Sequence, residues 1–246
     1  MIALKFDEAV VSDLLNRAGL FRVLALGFKY PAPGHSDDMR HALSGLAPSA
    51  SKMPESLAGL YLQVVSKWEG ADDDANSSAY NKLFSGESPC SLHETSYGDG
   101  KRIAGRPVEL ADISGFYRAF GLDVSDKNPD MPDHLCAELE FYSLLLVKQS
   151  YAMSEGWTDK FEISNRAAAR FMDGHLGRWL RALSENMAEN NPPEAYTALA
   201  LLAEKAAGIE CDILGVSPVL SDVMSLKDSA TEDELTCPKD VSDSAN

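Results

Sequence analysis

The residues with the most chemistry in this sequence form one run, Pro129-Asp130-Met131-Pro132-Asp133-His134-Leu135-Cys136-Ala137-Glu138-Leu139-Glu140-Phe141. Read as the start of a helix over about 133–150, it has Asp130 in a capping position, Pro132 tolerated in the first turn, and Asp133 favoured there by the positive end of the helix dipole. His134 and Glu138 are four apart and so share a face, while Asp133, Ala137 and Glu140 fall on a neighbouring one. Leu135, Leu139, Tyr142 and Leu146 supply the buried stripe. The helix therefore offers an imidazole and carboxylates beside a loop that glycine and proline shape.

Such a cluster supports three kinds of chemistry. His134 and Glu138 have the spacing of two metal ligands, but a site needs a third and a fourth. Only Cys90 and His93, in Cys90-Ser91-Leu92-His93, offer themselves; with all four the chain would be a small helical metal-dependent hydrolase. Two carboxylates and a histidine could instead do acid–base work, yet no nucleophile motif accompanies them, and Gly174-His175-Leu176-Gly177 resembles no phosphate loop. In the third reading the cluster caps a helix and holds a loop, or meets a basic ligand. Residue types alone leave these open.

Charge narrows the partner. With 38 acidic and 22 basic side chains the net charge is −16, which repels phosphate backbones and anionic lipid and favours a cationic peptide. Nucleic acid is therefore not an expected partner. No run approaches the roughly 18 apolar residues of a membrane span. The start, Met1 to Glu8, has no basic n-region, long apolar stretch or small-residue cleavage site, so no secretory signal is expected. Cys90, Cys136, Cys211 and Cys237 are far apart and form no CxxC pair; they read as reduced thiols, with the cytoplasm as the default compartment.

The elements that must position the cluster are all helical, because apolar residues recur at helical spacing and no stretch alternates with period two. A first helix over about 8–28 carries Val11, Leu14, Leu15, Ala18, Phe21, Leu24 and Ala25, and Tyr30-Pro31-Ala32-Pro33-Gly34 ends it. Leu57, Leu60, Val64 and Trp68 mark a second, capped at Gly70. An acidic loop, Asp72-Asp73-Asp74, precedes a helix from Ser77 or Ser78 that holds Tyr80, Leu83 and Phe84. After an irregular Gly86–Pro107 segment, Asp112, Phe116, Tyr117 and Phe120 form a short helix closed by Gly121. A stretch over 160–186 includes Phe171, Trp179 and Leu183, with Gly174 and Gly177 able to split it, and Pro192-Pro193-Glu194 opens a last alanine-rich helix. Trp68 and Trp179 belong to the core, whereas His35 and His41 face solvent. The fold class is all-α, an irregular single-domain helical bundle over residues 1–220, with 221–246 an acidic tail too polar to offset its ordering entropy.

Three segments together carry a family resemblance. They are Tyr80-x-x-Leu83-Phe84, Pro89-Cys90-Ser91-Leu92-His93-Glu94-Thr95-Ser96-Tyr97, and Pro132-Asp133-His134-Leu135-x-x-Glu138-Leu139-Glu140-Phe141. This pattern resembles the TorD/DmsD/NarJ family of chaperones dedicated to molybdenum redox enzymes. Phe171-x3-His175-Leu176-x2-Trp179 is similar to the family's later helix, and the resemblance runs in order over roughly residues 10–210. It implies a cytoplasmic, cofactor-free protein that is not an enzyme and that binds a molybdoenzyme catalytic subunit before its cofactor is inserted. It also implies that the protein holds the subunit's twin-arginine leader peptide so that export waits. By the same resemblance Asp133 and His134 sit in a hinge loop tied to leader binding, and Tyr80, Leu83, Phe84, Pro89, Glu94 and Tyr97 lie near that groove. Physically, a leader with two arginines and an apolar stretch needs carboxylates beside an apolar groove; Glu138, Glu140 and Asp133 are the carboxylates expected to meet it. The chain departs from relatives that carry Cys-Pro-x-Tyr-Glu, having Cys90-Ser91-Leu92-His93-Glu94 instead. Glu-Leu-Glu-Phe leans toward the branch serving reductases and dehydrogenases such as those for selenate, chlorate, dimethyl sulfide or ethylbenzene. The loop at about 122–132 is a plausible hinge for exchange between copies, so the chain is expected as a monomer or a domain-swapped dimer.

Overall fold

The computed structural model describes residues 7–85, 90–98, 105–122 and 131–221. Asp7 starts the first helix, α1 (Glu8–Gly27), by accepting hydrogen bonds from the free amides of Ala9 and Val10. Its broad apolar face lies along α6 (Leu135–Ser154), and the two run antiparallel. Ser143 Oγ donates to the Ala18 carbonyl at 2.8 Å, and Ser150 Oγ reaches the Val11 carbonyl at 3.5 Å. Leu139, Tyr142, Leu145 and Leu146 of α6 are fully buried, so this helix is the axis of the core.

Around that pair stand α2 (His35–Ala50), α3 (Glu55–Glu69), α4 (Asp73–Phe84), α5 (Arg106–Ala119), α7 (Thr158–Phe171), α8 (Gly177–Glu189) and α9 (Glu194–Leu214). Among the described residues the chain is helical with no strand, so the all-α bundle read from the periodicity is what forms. Helix α9 closes the bundle against α1, α3 and α8. Where α1 meets it, a Cβ on Gly27 would lie 2.6 Å from Leu199 Cδ2, and Leu199 is itself fully buried. Gly27→Ala is therefore expected to cost about 1–3 kcal/mol through overpacking. A urea midpoint unchanged from wild type would show that α1 and α9 separate there without strain.

Several expectations are corrected. Helix α2 went unread because its sequence is polar, yet Met39, Leu43 and Leu46 give it a buried stripe. His35, expected in solvent, is buried at its start with its ring 5.7 Å from that of Trp68, while His41 is exposed as expected. The acidic loop is no loop: Asp72 caps α4 by accepting from the Ala75 amide, and Asp73 and Asp74 form its first turn. Helix α5 begins earlier than expected, at Arg106. The major helix begins later, at Leu135. Asp133 therefore lies outside the first helical turn, and His134 rather than Asp130 is the capping residue.

The stretch divides at Gly174 and Gly177, as expected. They accompany a single π-helical turn, Met172–Leu176, between α7 and α8. There a Cβ on Gly177 would come within 2.5 Å of the Met172 carbonyl, so the widened turn admits no side chain at that point. Trp68 and Trp179 are core, as expected. Beyond α9 the chain returns across α8, with the Ser221 amide donating to the Arg178 carbonyl. Pro89, Asp130, Cys237, most of the proposed hinge and the acidic tail lie outside the described residues. Among those described, no helix is long and apolar enough to cross a membrane.

Candidate functional site

The segment from Cys90 to Tyr97 is tied at both ends. The Cys90 amide donates to the Leu83 carbonyl at the end of α4. Farther along, the Leu135 amide donates to Leu92 O at 2.8 Å and the Glu94 amide to Asp133 O at 3.0 Å, an isolated antiparallel bridge between His93 and His134. The fully buried Asp133 carboxylate fastens this crossing. Its Oδ2 accepts from Thr95 Oγ1 at 2.5 Å and from the Thr95 amide at 3.3 Å, and its Oδ1 meets His93 Nδ1 at 3.1 Å. Burial opposes ionisation, but the bonds from His93 and Thr95 outweigh it and hold Asp133 below the usual carboxylate range. His134 faces His93 with ring centroids 5.1 Å apart, and its Nδ1 accepts the Cys136 amide bond. That nitrogen is therefore unprotonated when it caps α6.

Beneath the crossing is a second buried set. Glu138 Oε2 accepts from Trp179 Nε1 at 3.1 Å, and Tyr97 stacks on the Trp179 ring at 5.3 Å. Glu138 also shares a side-chain hydrogen bond with the neighbouring Glu94. Full burial, reinforced by the nearby Glu94 carboxylate, pushes Glu138 well above the usual carboxylate range. Glu94, 2% exposed, is balanced by His175: Nδ1 lies 3.1 Å from Glu94 Oε2 and Nε2 lies 3.2 Å from Asp112 Oδ2 on α5. Burial alone would lower His175, but the pairs with Glu94 and Asp112 reverse that and raise it.

The residues singled out in the sequence thus fall into two places. Asp133, His134, Glu138, Glu94 and Tyr97 gather at this crossing, all turned into the fold except the half-buried His134. Glu140 is on the outer face of α6, half exposed and 2.6 Å from Lys29 Nζ. Tyr80, Leu83 and Phe84 form part of a different cluster of rings, in which Tyr80 meets Tyr30 at 5.4 Å and Phe84 meets Tyr196 at 5.5 Å. The Cys90–Leu83 bond links the two. His175 was visible only within a longer match, and nothing in the sequence marked Asp112 or Tyr30 as partners.

The metal-binding alternative gains nothing from this arrangement. Burial pushes the Cys90 thiol up to about 11, away from the thiolate a metal requires. Glu138 turns inward to Trp179. Among the described residues no three or more His, Cys, Asp or Glu side chains are grouped to hold a metal ion. What the crossing does chemically is lock a loop to the start of a helix through buried, mutually bonded carboxyl and imidazole groups.

An all-helical bundle with this crossing belongs to a recognised class. Residues 39–185, more than half of the chain, match the family described as nitrate reductase delta subunit, and the chain belongs to that family. Among individual relatives, the perchlorate reductase assembly chaperone protein of Dechloromonas aromatica (strain RCB) is 26% identical over 211 residues, covering 81% of this chain and 91% of that protein. The selenate reductase assembly chaperone protein of Thauera selenatis is 33% identical over 99 residues, 40% of this chain and 49% of that one. The chlorate reductase assembly chaperone protein of Ideonella dechloratans is 34% identical over the same shares.

Proposed function

We propose that this chain is an assembly chaperone for a molybdenum-containing oxidoreductase. In this reading it is not an enzyme and carries no cofactor of its own; in the cytoplasm it binds the client's catalytic subunit before cofactor insertion and holds the twin-arginine leader until export is due. The observation that carries the reading is the alignment with a perchlorate reductase assembly chaperone across 91% of that protein's length. A net charge of −16 supports it, since a cationic leader is drawn to such a surface.

The site residues divide their labour in this proposal. Phe84 and Pro89 contribute apolar contact to the client, joined by the buried Tyr80 and Leu83 when their ring cluster opens. Asp133, His134, Glu94, Glu138 and Tyr97 set the position of the loop and of α6, because a buried, fully engaged carboxylate meets a client only if the crossing opens. Glu140 is already at the surface. The chain acts as a monomer or as a dimer that exchanges helices about residues 122–132, which light scattering on the eluted protein distinguishes.

Calorimetric titration with twin-arginine leader peptides from molybdoenzymes of its own source tests the proposal. Saturable binding with a Kd on the order of micromolar, weakened when both arginines become alanine, is expected. A folded protein that binds none of the leaders would remove the leader from the proposal.

A further inference from the structure

Helix α9 ends at Leu214, and Gly215, in the left-handed region at φ +66°, turns the chain back. The Val216 amide closes that turn by donating to the Cys211 carbonyl at 3.0 Å. Residues 216–221 then run as an irregular strap over the start of α8 and end against the loop of the crossing. Two glycines lie under it. A Cβ on Gly177 would be 2.9 Å from Pro218 Cγ, and one on Gly98 would be 2.8 Å from Ser221 Oγ. Gly98 directly follows Tyr97, the residue stacked on Trp179 of α8.

Arg178 ties the strap down. Its Nε donates to the Val219 carbonyl at 3.2 Å, and its own carbonyl accepts from the Ser221 amide at 2.9 Å. The same guanidinium reaches inward: Nη1 donates to the Gly174 carbonyl at 3.3 Å and lies 3.5 Å from Glu109 Oε1 on α5. Gly174 belongs to the π-helical turn that carries His175, and His175 grips Glu94 of the loop. The strap therefore touches both sides of one seam. Ser221 meets the end of the loop, and Arg178 joins the strap to the turn that holds the loop's buried acid.

The hold is light. Val216, Pro218 and Ser221 are only half-buried, while Val219 is 78% and Leu220 48% exposed, so burial of apolar side chains contributes little. Its hydrogen bonds to α8 run through Arg178 near the surface. A segment with few buried apolar contacts opens at a small fraction of the global unfolding free energy. The loop beneath is different, fastened by the fully buried Asp133 and by the Glu94–His175 pair. A weakly held strap, turned by a glycine and seated on the end of a strongly held loop, has the build of a catch.

We infer that residues 216–221 form a latch that keeps the crossing shut. Seated, the latch confines Gly98 beside α8 and leaves the loop on the start of α6. Lifted about Gly215, it frees the loop's end, and the crossing can open. This rests on the chaperone reading, in which the buried carboxylates meet a client only from an opened crossing. The latch thus keeps the empty chaperone closed and sets how readily a client is admitted.

A disulfide staple tests it. The Cβ positions of residues 98 and 221 are 3.3 Å apart, close to the separation of about 3.5–4.5 Å across a disulfide. Gly98→Cys/Ser221→Cys should therefore close on oxidation and hold the latch down. All proteins are the full chain with Cys237→Ser, and peptide mapping confirms the pairing. Hydrogen exchange at the Glu94, Thr95 and Tyr97 amides should be about tenfold slower in the oxidised double variant than in the same protein reduced. Calorimetric titration with a twin-arginine leader peptide should show binding about tenfold weaker when oxidised and restored on reduction. Gly98→Cys alone, which puts a side chain at positive φ without a lock, should respond to oxidation in neither assay. Equal exchange in the two redox states overturns the latch, as does a staple that fails to form. Slower exchange with unchanged peptide affinity overturns its control of client entry. An unstapled protein that binds no leader peptide overturns leader binding in the chaperone reading, and the exchange rates still judge the latch.

Discussion

Replacing Glu210 with alanine is expected to destabilise the protein by about 3–5 kcal/mol, the range for removing one partner of a buried ion pair. Glu210 is 2% exposed on α9, and three groups from other helices converge on it. Arg17 Nε of α1 donates to its Oε1 at 2.7 Å, and Arg17 Nη2 pairs with Oε2. Tyr142 Oη of α6 donates to Oε2 at 2.6 Å. Burial works against the guanidinium, yet Glu210 overcomes it and holds Arg17 more firmly protonated than usual. Without Glu210 the Tyr142 hydroxyl loses its acceptor and Arg17 keeps only the exposed Asp13 as its carboxylate partner, at the junction of three helices. The result should fall toward the lower end of the range, because Arg17 also lines a cavity of about 220 Å³ through which water can reach it. Glu185→Ala, which breaks the exposed Arg181–Glu185 pair on α8, should cost no more than about 1 kcal/mol. Urea midpoints for the two variants decide the matter: similar losses would mean that Glu210 does not tie the three helices together.

How far the sequence predicts this molecule depends on what each element rests on. Helices with a broad apolar face, such as α1 and α6, were legible because periodicity alone reports burial. Helix α2 was not: only three large apolar residues, Met39, Leu43 and Leu46, mark its inner face, and its stability comes from packing against α1 and α3. The aspartates at 72–74 looked like a loop because acidic residues favour loops and helix starts alike, and only the bond from the Ala75 amide to Asp72 settles which. The site was legible in its membership but not in its geometry. Spacing put His134 and Glu138 on one helical face, yet the helix begins at Leu135, so His134 caps it while Glu138 points to Trp179. That partner is 41 residues away. His175 pairs with Glu94 across 81 residues, and no local pattern encodes a contact of that kind. Likewise Tyr30, in the turn after α1, and Asp74, in α4, line one cavity of about 410 Å³ from distant parts of the chain.

His175→Ala should cost a similar amount, about 3–5 kcal/mol near pH 6, and its cost should shrink as the pH rises. The imidazolium is the cation between Glu94 and Asp112; removing it leaves Glu94 buried beside Glu138 with no positive charge against it. Because the folded state raises His175 above its ordinary 6.5, the stability it contributes is fully present below that value and is lost as pH climbs through the folded one. Glu138 acts in the same direction. The fold favours its neutral form, so its contribution is complete below about 4.5 and declines as pH rises through its raised folded value. Asp133 does the opposite: held low in the fold, it contributes above about 3.8 and its share is lost on acidification. Wild-type stability should therefore peak in mildly acidic solution and fall toward pH 9. Glu138→Gln isolates the carboxyl's part, since the amide oxygen can still accept from Trp179 Nε1 while the group no longer titrates. Urea midpoints at pH 5.5, 7 and 8.5 should fall less steeply for Glu138→Gln than for wild type, and the deficit of His175→Ala should shrink across the same series. Parallel curves for Glu138→Gln and wild type would mean that Glu138 titrates alike folded and unfolded, and the buried neutral carboxyl at the heart of the crossing would have to be abandoned.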